Sequence, residues 1–187
     1  MRELTYYIAT SLDGFIAHGD GSHAGFSEDP AYLQALFSQF PETVPSHFRA
    51  ALGIEAPNQY FDTVLMGRKT YEVGLKEGVT SPYSHLRQYV VSRSLSESPD
   101  AAVTLVSTDA IATVQALKTE TGQGIWLCGG GTLATALLTA GLIDRLLIKI
   151  NPFVMGSGIP LFAAPISTCR LQLSQQQRYP SGVMLMD

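Results

Sequence analysis

Ile125-Trp126-Leu127-Cys128-Gly129-Gly130-Gly131-Thr132-Leu133 reads as a short buried strand that runs into three glycines, then into a helix starting at Thr132. Glycine has no Cβ, so backbone N–H groups at such a turn can come close to a bound anion. The helix behind adds free N–H groups and the positive end of its dipole. A nucleotide phosphate is the natural anion for such a place. Taken alone, the glycines fit a plain connecting turn equally well, because glycine punctuates turns everywhere.

A second junction of the same kind shifts the balance. Phe61-Asp62-Thr63-Val64-Leu65-Met66 is a strand pattern, and Gly67-Arg68-Lys69-Thr70-Tyr71-Glu72 follows as a helix start. Cations at a helix N-terminus oppose the dipole unless something negative sits there. A guanidinium can grip phosphate oxygens with two donors, and an ammonium adds a point charge. Solvated charges on a helix face are the plain alternative. A third junction follows the strand Gln88–Val91, where Ser92-Arg93-Ser94 offers hydroxyls and a guanidinium suited to a phosphate or ribose. An ordinary polar turn would carry the same residues.

Working outward, Leu4 to Ala9 is the first strand, and Asp13-Gly14 is a turn dipeptide after it. His18 to Asp29 is a long loop rich in Gly, Ser and Asp, of a kind that often serves as a lid. Asp29 and Pro30 form an N-cap and N1 pair ahead of a helix faced by Tyr32, Leu33, Leu36, Phe37 and Phe40, which Pro41 stops. A short helix from Ser46 to Leu52, capped by Ser46, comes next, and residues 74–87 read as loop. Ala102–Val106 is a strand, and Ser107-Thr108-Asp109 caps a helix through Thr119 with Ile111, Val114, Leu117 and Lys118 in helical spacing. The Thr132–Ala140 helix ends at Gly141, Leu142–Ile150 is a long apolar strand, and 151–160 is a loop. Leu171–Arg178 and Val183–Met186 close the chain as a hairpin around Pro180-Ser181-Gly182, its first strand half exposed.

Strands alternating with helices, then two closing strands, predict one α/β domain over residues 1–187. Its sheet is mainly parallel and twisted, flanked by helices, with antiparallel C-terminal strands. Ligands bind such sheets beyond the carboxyl ends of the strands. Gly67, Ser92 and Gly129 all fall there, so the three junctions are expected to converge on one nucleotide.

Composition excludes several classes. The chain has 187 residues, 45% hydrophobic and 15% charged, enough for a sizeable core and unlike a disordered segment. A net charge of −4 gives a nucleic-acid partner no overall electrostatic support. No apolar run reaches about 18 residues, so no membrane span is expected. Met1-Arg2-Glu3 leads straight into a strand without a signal-peptide profile. Cys128 and Cys169 show neither metal spacing nor a disulfide framework, which predicts a cytoplasmic protein. His18, His23, His47 and His85 have no metal spacing either, and no metal site is expected.

Four motifs then carry a resemblance. Ser11-Leu12-Asp13-Gly14-Phe15-Ile16-Ala17, Met66-Gly67-Arg68-Lys69-Thr70-Tyr71-Glu72, Val91-Ser92-Arg93 and Cys128-Gly129-Gly130-Gly131 resemble the dihydrofolate reductase superfamily, and most of all its branch containing the reductase domain of riboflavin biosynthesis. Leu142-Ile143-Asp144-Arg145-Leu146 and Gly156-Ser157-Gly158-Ile159-Pro160-Leu161-Phe162 are typical of that branch too. The likeness spans nearly the whole chain. It implies a dihydrofolate-reductase-like fold, NADPH as cofactor and a homodimer. Gly67, Arg68, Lys69 and Thr70 would contact cofactor phosphates, and Ser92 and Arg93 the adenosine 2′-phosphate. Gly129, Gly130, Gly131, Thr132 and Leu133 would hold the pyrophosphate, while backbone near Ala9 and Ile16 would face the nicotinamide.

Hydride transfer to a C=N or C=O bond also requires a proton at the substrate heteroatom. Asp13, in the loop after the first strand, and Asp29, opening the first helix, are the candidate catalytic acids. As an ordinary turn and an ordinary cap, both also have structural readings. The only tryptophan is Trp126, and a long insertion spans residues 18–60, which points away from folate itself. The expected activity is therefore reduction of a small pterin- or pyrimidine-like heterocycle. Two other readings are a dinucleotide-binding module without turnover and a site for another phosphorylated metabolite.

Overall fold

The computed structural model describes residues 1–187. Strand β1 (Leu4–Ser11) is followed by the short β2 (Phe15–Ala17), helix α1 (Pro30–Gln39), a single 3-10 turn (Pro41–Thr43) and α2 (Ser46–Arg49). Then come β3 (Phe61–Gly67), α3 (Arg68–Lys76), β4 (Arg87–Val91), β5 (Val103–Val106), α4 (Ala110–Thr119), β6 (Gly124–Gly129) and α5 (Gly131–Thr139). The chain closes with β7 (Arg145–Asn151), β8 (Ile159–Pro160), β9 (Gln176–Arg178) and β10 (Met184–Met186).

Eight strands form one sheet in the order β5-β4-β3-β6-β1-β7-β10-β9. The six from β5 to β7 are parallel, and β10 and β9 add antiparallel at one edge. Because a strand alternates its side chains, neighbouring residues feed opposite cores. Tyr7, Val64, Met66 and Trp126 pack with Tyr32, Leu36 and Phe40 on one face. Tyr6, Leu65, Ile125 and Leu127 pack with Val114, Leu117, Leu133 and Leu137 on the other. Burial on both faces explains why these strands read as near-continuous apolar runs.

The helix starts follow local chemistry. Asp29 accepts from the Tyr32 N–H at 2.8 Å and Asp109 from the Ala112 N–H at 2.9 Å, so both act as N-caps. Lys118 is buried at the far end of α4, where its ammonium donates to the Leu142 carbonyl at 2.9 Å and pairs with Asp144.

Several boundaries differ from the sequence reading. β7 begins at Arg145, because Leu142 is buried in the turn and Asp144 is engaged by the Leu4 N–H at 2.8 Å. α2 stops at Arg49 with Pro45 at its N-cap, and Ser46 accepts from the Ser84 N–H instead of capping. α3 runs on to Lys76 through Gly74, and α5 starts one residue earlier than expected, at Gly131. The closing hairpin is shorter than Leu171–Arg178. Leu171 and Leu173 are 69% and 53% exposed and extend past the sheet, where no further strand packs on them. The β2–β8 ribbon has strands of only three and two residues, too short to show a periodicity.

Candidate functional site

The three junctions meet on one rim. β4, β3 and β6 are consecutive strands in the sheet, with Gly67 opposite Val91 and Met66 opposite Gly129. The chain therefore leaves all three at the carboxyl edge, side by side. Gly67 lies so near the glycine cluster that a Cβ on it would stand 3.3 Å from the Gly130 nitrogen and 3.4 Å from the Gly129 oxygen. Gly129 adopts φ +143°, a conformation that favours glycine, and the Gly129–Gly130 peptide is cis. Thr70 Oγ1 sits over this turn, 3.3 Å from where a Gly129 Cβ would be.

Neither α3 nor α5 has a side-chain cap. The N–H groups of Gly131, Thr132 and Leu133 find no acceptor within the protein, while the Ala134 N–H starts the helical ladder on the Gly130 oxygen at 3.0 Å. Leu133 turns its side chain into the core and Thr132 is exposed, so backbone is what this turn offers to the rim. Gly131 has a separate reason to be glycine, since a Cβ there would fall 2.2 Å from the Pro160 oxygen.

The cationic residues differ in their surroundings. Lys69 and Arg93 are exposed. The Arg68 guanidinium lies along its own helix, 2.5 Å from Glu72. Ser92 is buried, and its hydroxyl accepts from the Leu95 N–H at 2.9 Å and the Ser94 N–H at 3.2 Å, shaping the turn that presents Arg93. A dinucleotide fits this rim on the chemistry of the chain. Uncapped N–H donors and a turn without Cβ atoms share the rim, and three cationic residues stand in the turns that leave it.

A cleft of about 290 Å³ opens beside the ends of β1, β6 and β7. Ala9 and Ile16 both line it. Its other walls are Tyr7, Phe37, Tyr83 and Trp126, with Tyr32 and Leu33 from α1 and His23, Phe26 and Ser27 from the 18–29 loop. That loop is held over the cleft. Phe26 meets Phe153 edge to face at 5.2 Å, and the Ser27 N–H donates to Asn151 at 3.0 Å.

Neither predicted acid lines this cleft. Asp13 accepts from the Met155 N–H at 3.0 Å, the Gly156 N–H at 2.7 Å and the Ser11 hydroxyl at 2.6 Å. These bonds hold its carboxyl down at about 2, led by the Met155 N–H, so it stays ionised and ties the β1 turn to the 155–156 loop. Asp29 is exposed and occupied as the α1 cap. The site instead contains Lys149, which the sequence reading passed over. It shares a face of β7 with Leu147 and points to the Tyr7 ring, with Nζ 4.0 Å from the centroid. Its signal was a single charge inside Leu146-Leu147-Ile148-Lys149-Ile150, an otherwise apolar strand. Asn151, two residues on, also lines the cleft.

A mainly parallel sheet with two glycine-to-helix turns on its carboxyl rim, and an antiparallel C-terminal edge, defines a dihydrofolate-reductase-like domain. The chain belongs to the RibD C-terminal domain family, whose model matches residues 2–185. It is 33% identical over 184 residues to the uncharacterized protein YwjB of Bacillus subtilis, covering 98% of this chain and 96% of that one. It is 29% identical over 165 residues to the riboflavin biosynthesis protein RibD of Mycobacterium tuberculosis, covering 85% of this chain but 44% of that protein. Among solved structures, RibD of Acinetobacter baumannii superposes with a TM-score of 0.65 at 18% identity, over 100% of this chain and 57% of that one. A pyrimidine reductase-like protein of Corynebacterium diphtheriae superposes with a TM-score of 0.58 at 16% identity, over 99% and 90%. No helix is long and apolar enough to cross a membrane.

Proposed function

We propose that this protein is an NADPH-dependent reductase that transfers a hydride to a C=N or C=O carbon of a small planar heterocycle of pterin or pyrimidine type. The observation that carries this reading is a shared sheet edge: β4, β3 and β6 end side by side at the three junctions, and the aromatic cleft that Ala9 and Ile16 line reaches β6 at Cys128, one residue before Gly129. Bound across the rim, the cofactor would supply the hydride. Gly129 to Leu133 would hold its pyrophosphate on backbone N–H groups, Gly67 to Thr70 would flank the phosphates, and Ser92 would set the turn that brings Arg93 to the 2′-phosphate. The cleft would exclude water and hold the acceptor ring flat against the transferred hydrogen.

Titration with NADPH and NADH tests the cofactor assignment, and NADPH oxidation across a panel of pterins and pyrimidinones tests turnover. Tight NADPH binding with silence across the panel would favour a binding module instead. One observation supports that second reading: neither Asp13 nor Asp29 reaches the cleft as a proton donor. No NADPH binding would end both readings.

We further infer a homodimer in a reducing compartment. Symmetric pairs are the commonest oligomers, Leu171 and Leu173 are exposed beside the edge strand β9, and both cysteines are free. Light scattering that shows only monomer at high concentration would overturn the dimer.

A further inference from the structure

Lys149 is a cation in an aromatic cleft without a counter-ion. None of the protein's six ion pairs includes it. The groups that face it are neutral at pH 7. Tyr7 comes from β1, Tyr32 from α1 and Tyr83 from the segment before β4, and burial raises all three phenols. Cys128 comes from β6 with its thiol pushed up to about 11 by burial, and His23 comes from the loop with its imidazole lowered by burial. Glu42 lies behind Tyr7, and one of its oxygens accepts from the Tyr60 and Phe61 N–H groups. Burial also draws Lys149 down to about 8. The face of Tyr7 offsets part of the desolvation of the ammonium, and nothing in the chain offsets the rest.

The shape of the cleft sets the other half of the recognition. Tyr7, Phe37, Tyr83 and Trp126 present ring surfaces around a space of about 290 Å³. Flat apolar walls favour a flat ligand, and a single unpaired cation among them fixes its orientation. We propose that Lys149 anchors the anionic oxygen of a planar heteroaromatic substrate, so that the cleft selects a ring bearing a carboxylate or an ionised ring oxygen over its neutral analogue. This rests on the cleft being the substrate site of the proposed reductase.

Two probes of one shape separate the possibilities. Quinoline-2-carboxylate and quinoline-2-carboxamide are both planar, and neither titrates between about pH 6.5 and 9.5. Binding is measured by calorimetry without cofactor, and quenching of Trp126, the single tryptophan and part of the cleft wall, reports its location. Wild type should bind the carboxylate at least about 10-fold more tightly than the amide, the difference expected of a charge-assisted contact. The preference should vanish in Lys149→Met, which keeps the length of the side chain and should melt no lower than wild type. In wild type it should also fade by about 10-fold or more between pH 7 and 9.5, as the ammonium loses its proton. That arm needs no variant. Equal binding of both probes by wild type, or a carboxylate preference that survives in Lys149→Met or at high pH, would overturn the anchor while leaving the heterocycle site in place. Binding of neither probe would overturn the anchor and the substrate site together, while NADPH titration would still read the rim separately.

Discussion

Gly67 and Gly130 face each other across the rim, with 3.3 Å between the position of a Gly67 Cβ and the Gly130 nitrogen. The contact joins the β3–α3 turn to the β6–α5 turn. Gly67 has φ −75°, which any residue can adopt, so only space restricts it. Gly67→Ala should therefore cost about 1 kcal/mol of stability, because the facing turn gives by a few tenths of an ångström. The same shift moves the N–H groups assigned to phosphate, so NADPH affinity should fall by about 10-fold or more. Gly131→Ala is the control for packing. Its Cβ would fall 2.2 Å from the Pro160 oxygen, and about 3 kcal/mol or more should be lost. Thermal unfolding and NADPH titration read the two effects, and unchanged NADPH binding by Gly67→Ala would detach this turn from the cofactor.

Arg68 pairs only with Glu72, four residues along an exposed helix surface. Such pairs contribute about 0.3–0.5 kcal/mol, so Arg68→Ala should leave the melting temperature nearly unchanged. Its effect should instead appear in binding. NADPH affinity is expected to drop by about 1–3 kcal/mol and NADH affinity by much less, since only NADPH carries the 2′-phosphate. Arg93→Ala should behave in the same way. Equal losses for the two cofactors, or none, would count against both residues as readers of that phosphate.

Much of this molecule could be read from periodicity and turn chemistry. The buried parallel strands appear as apolar runs, and the Asp29-Pro30 and Asp109 helix starts carry their caps in the sequence. Gly67 and Gly129 mark the rim because the two turns approach each other too closely for a relaxed Cβ on Gly67 and because Gly129 takes a φ that favours glycine. The cleft was harder to see. Lys149, Tyr83 and Trp126 come from separate parts of the chain and meet only through strand order, which no local pattern encodes. Asp13 and Asp29 attracted attention as acids near the expected site. The partners of Asp13, the Met155 and Gly156 N–H groups, depend on loop geometry that spacing cannot supply, whereas Asp29 makes the cap bond to Tyr32 that its place before Pro30 announces.

Lys118 shows a charge whose burial was legible from helical spacing but whose partner was not. It lies on the inner face of α4 beside Leu117, with its ammonium held by the Leu142 carbonyl and Asp144. Asp144 also accepts the Leu4 N–H, so one carboxylate fastens α4, β1 and the start of β7. Asp144→Ala should leave a strand N–H unpaired and the buried ammonium with only the Leu142 carbonyl, at a cost of about 1–3 kcal/mol, since the carboxylate itself is partly in solvent. Lys118→Met removes the charge as well as the bond and should cost less. Urea unfolding of both variants checks the order, and a larger loss for Lys118→Met would show that the ion pair is not what holds this corner.

Asp13 should control acid stability without donating protons. Its carboxyl sits at about 2 in the folded protein against an ordinary 3.8, because the Met155 N–H, the Ser11 hydroxyl and the Gly156 N–H all favour the ionised form. A group whose folded value is depressed contributes stability above its unfolded value and loses it as pH falls through the folded value. For Asp13 the loss should therefore run from about pH 4 down to about pH 2. Asp13→Asn cannot offer the same oxygens to both loop N–H groups, so it should melt below wild type at pH 6. The gap between the two proteins should narrow through that acid window as wild type loses its clamp. A gap of constant size from pH 6 to pH 2 would mean that the carboxylate charge contributes nothing to the loop. NADPH binding adds the functional arm. Because Asp13 holds the 155–156 loop and does not touch the rim, Asp13→Asn should leave NADPH affinity within about twofold of wild type, and its pH profile of turnover should show no new ionisation near 4.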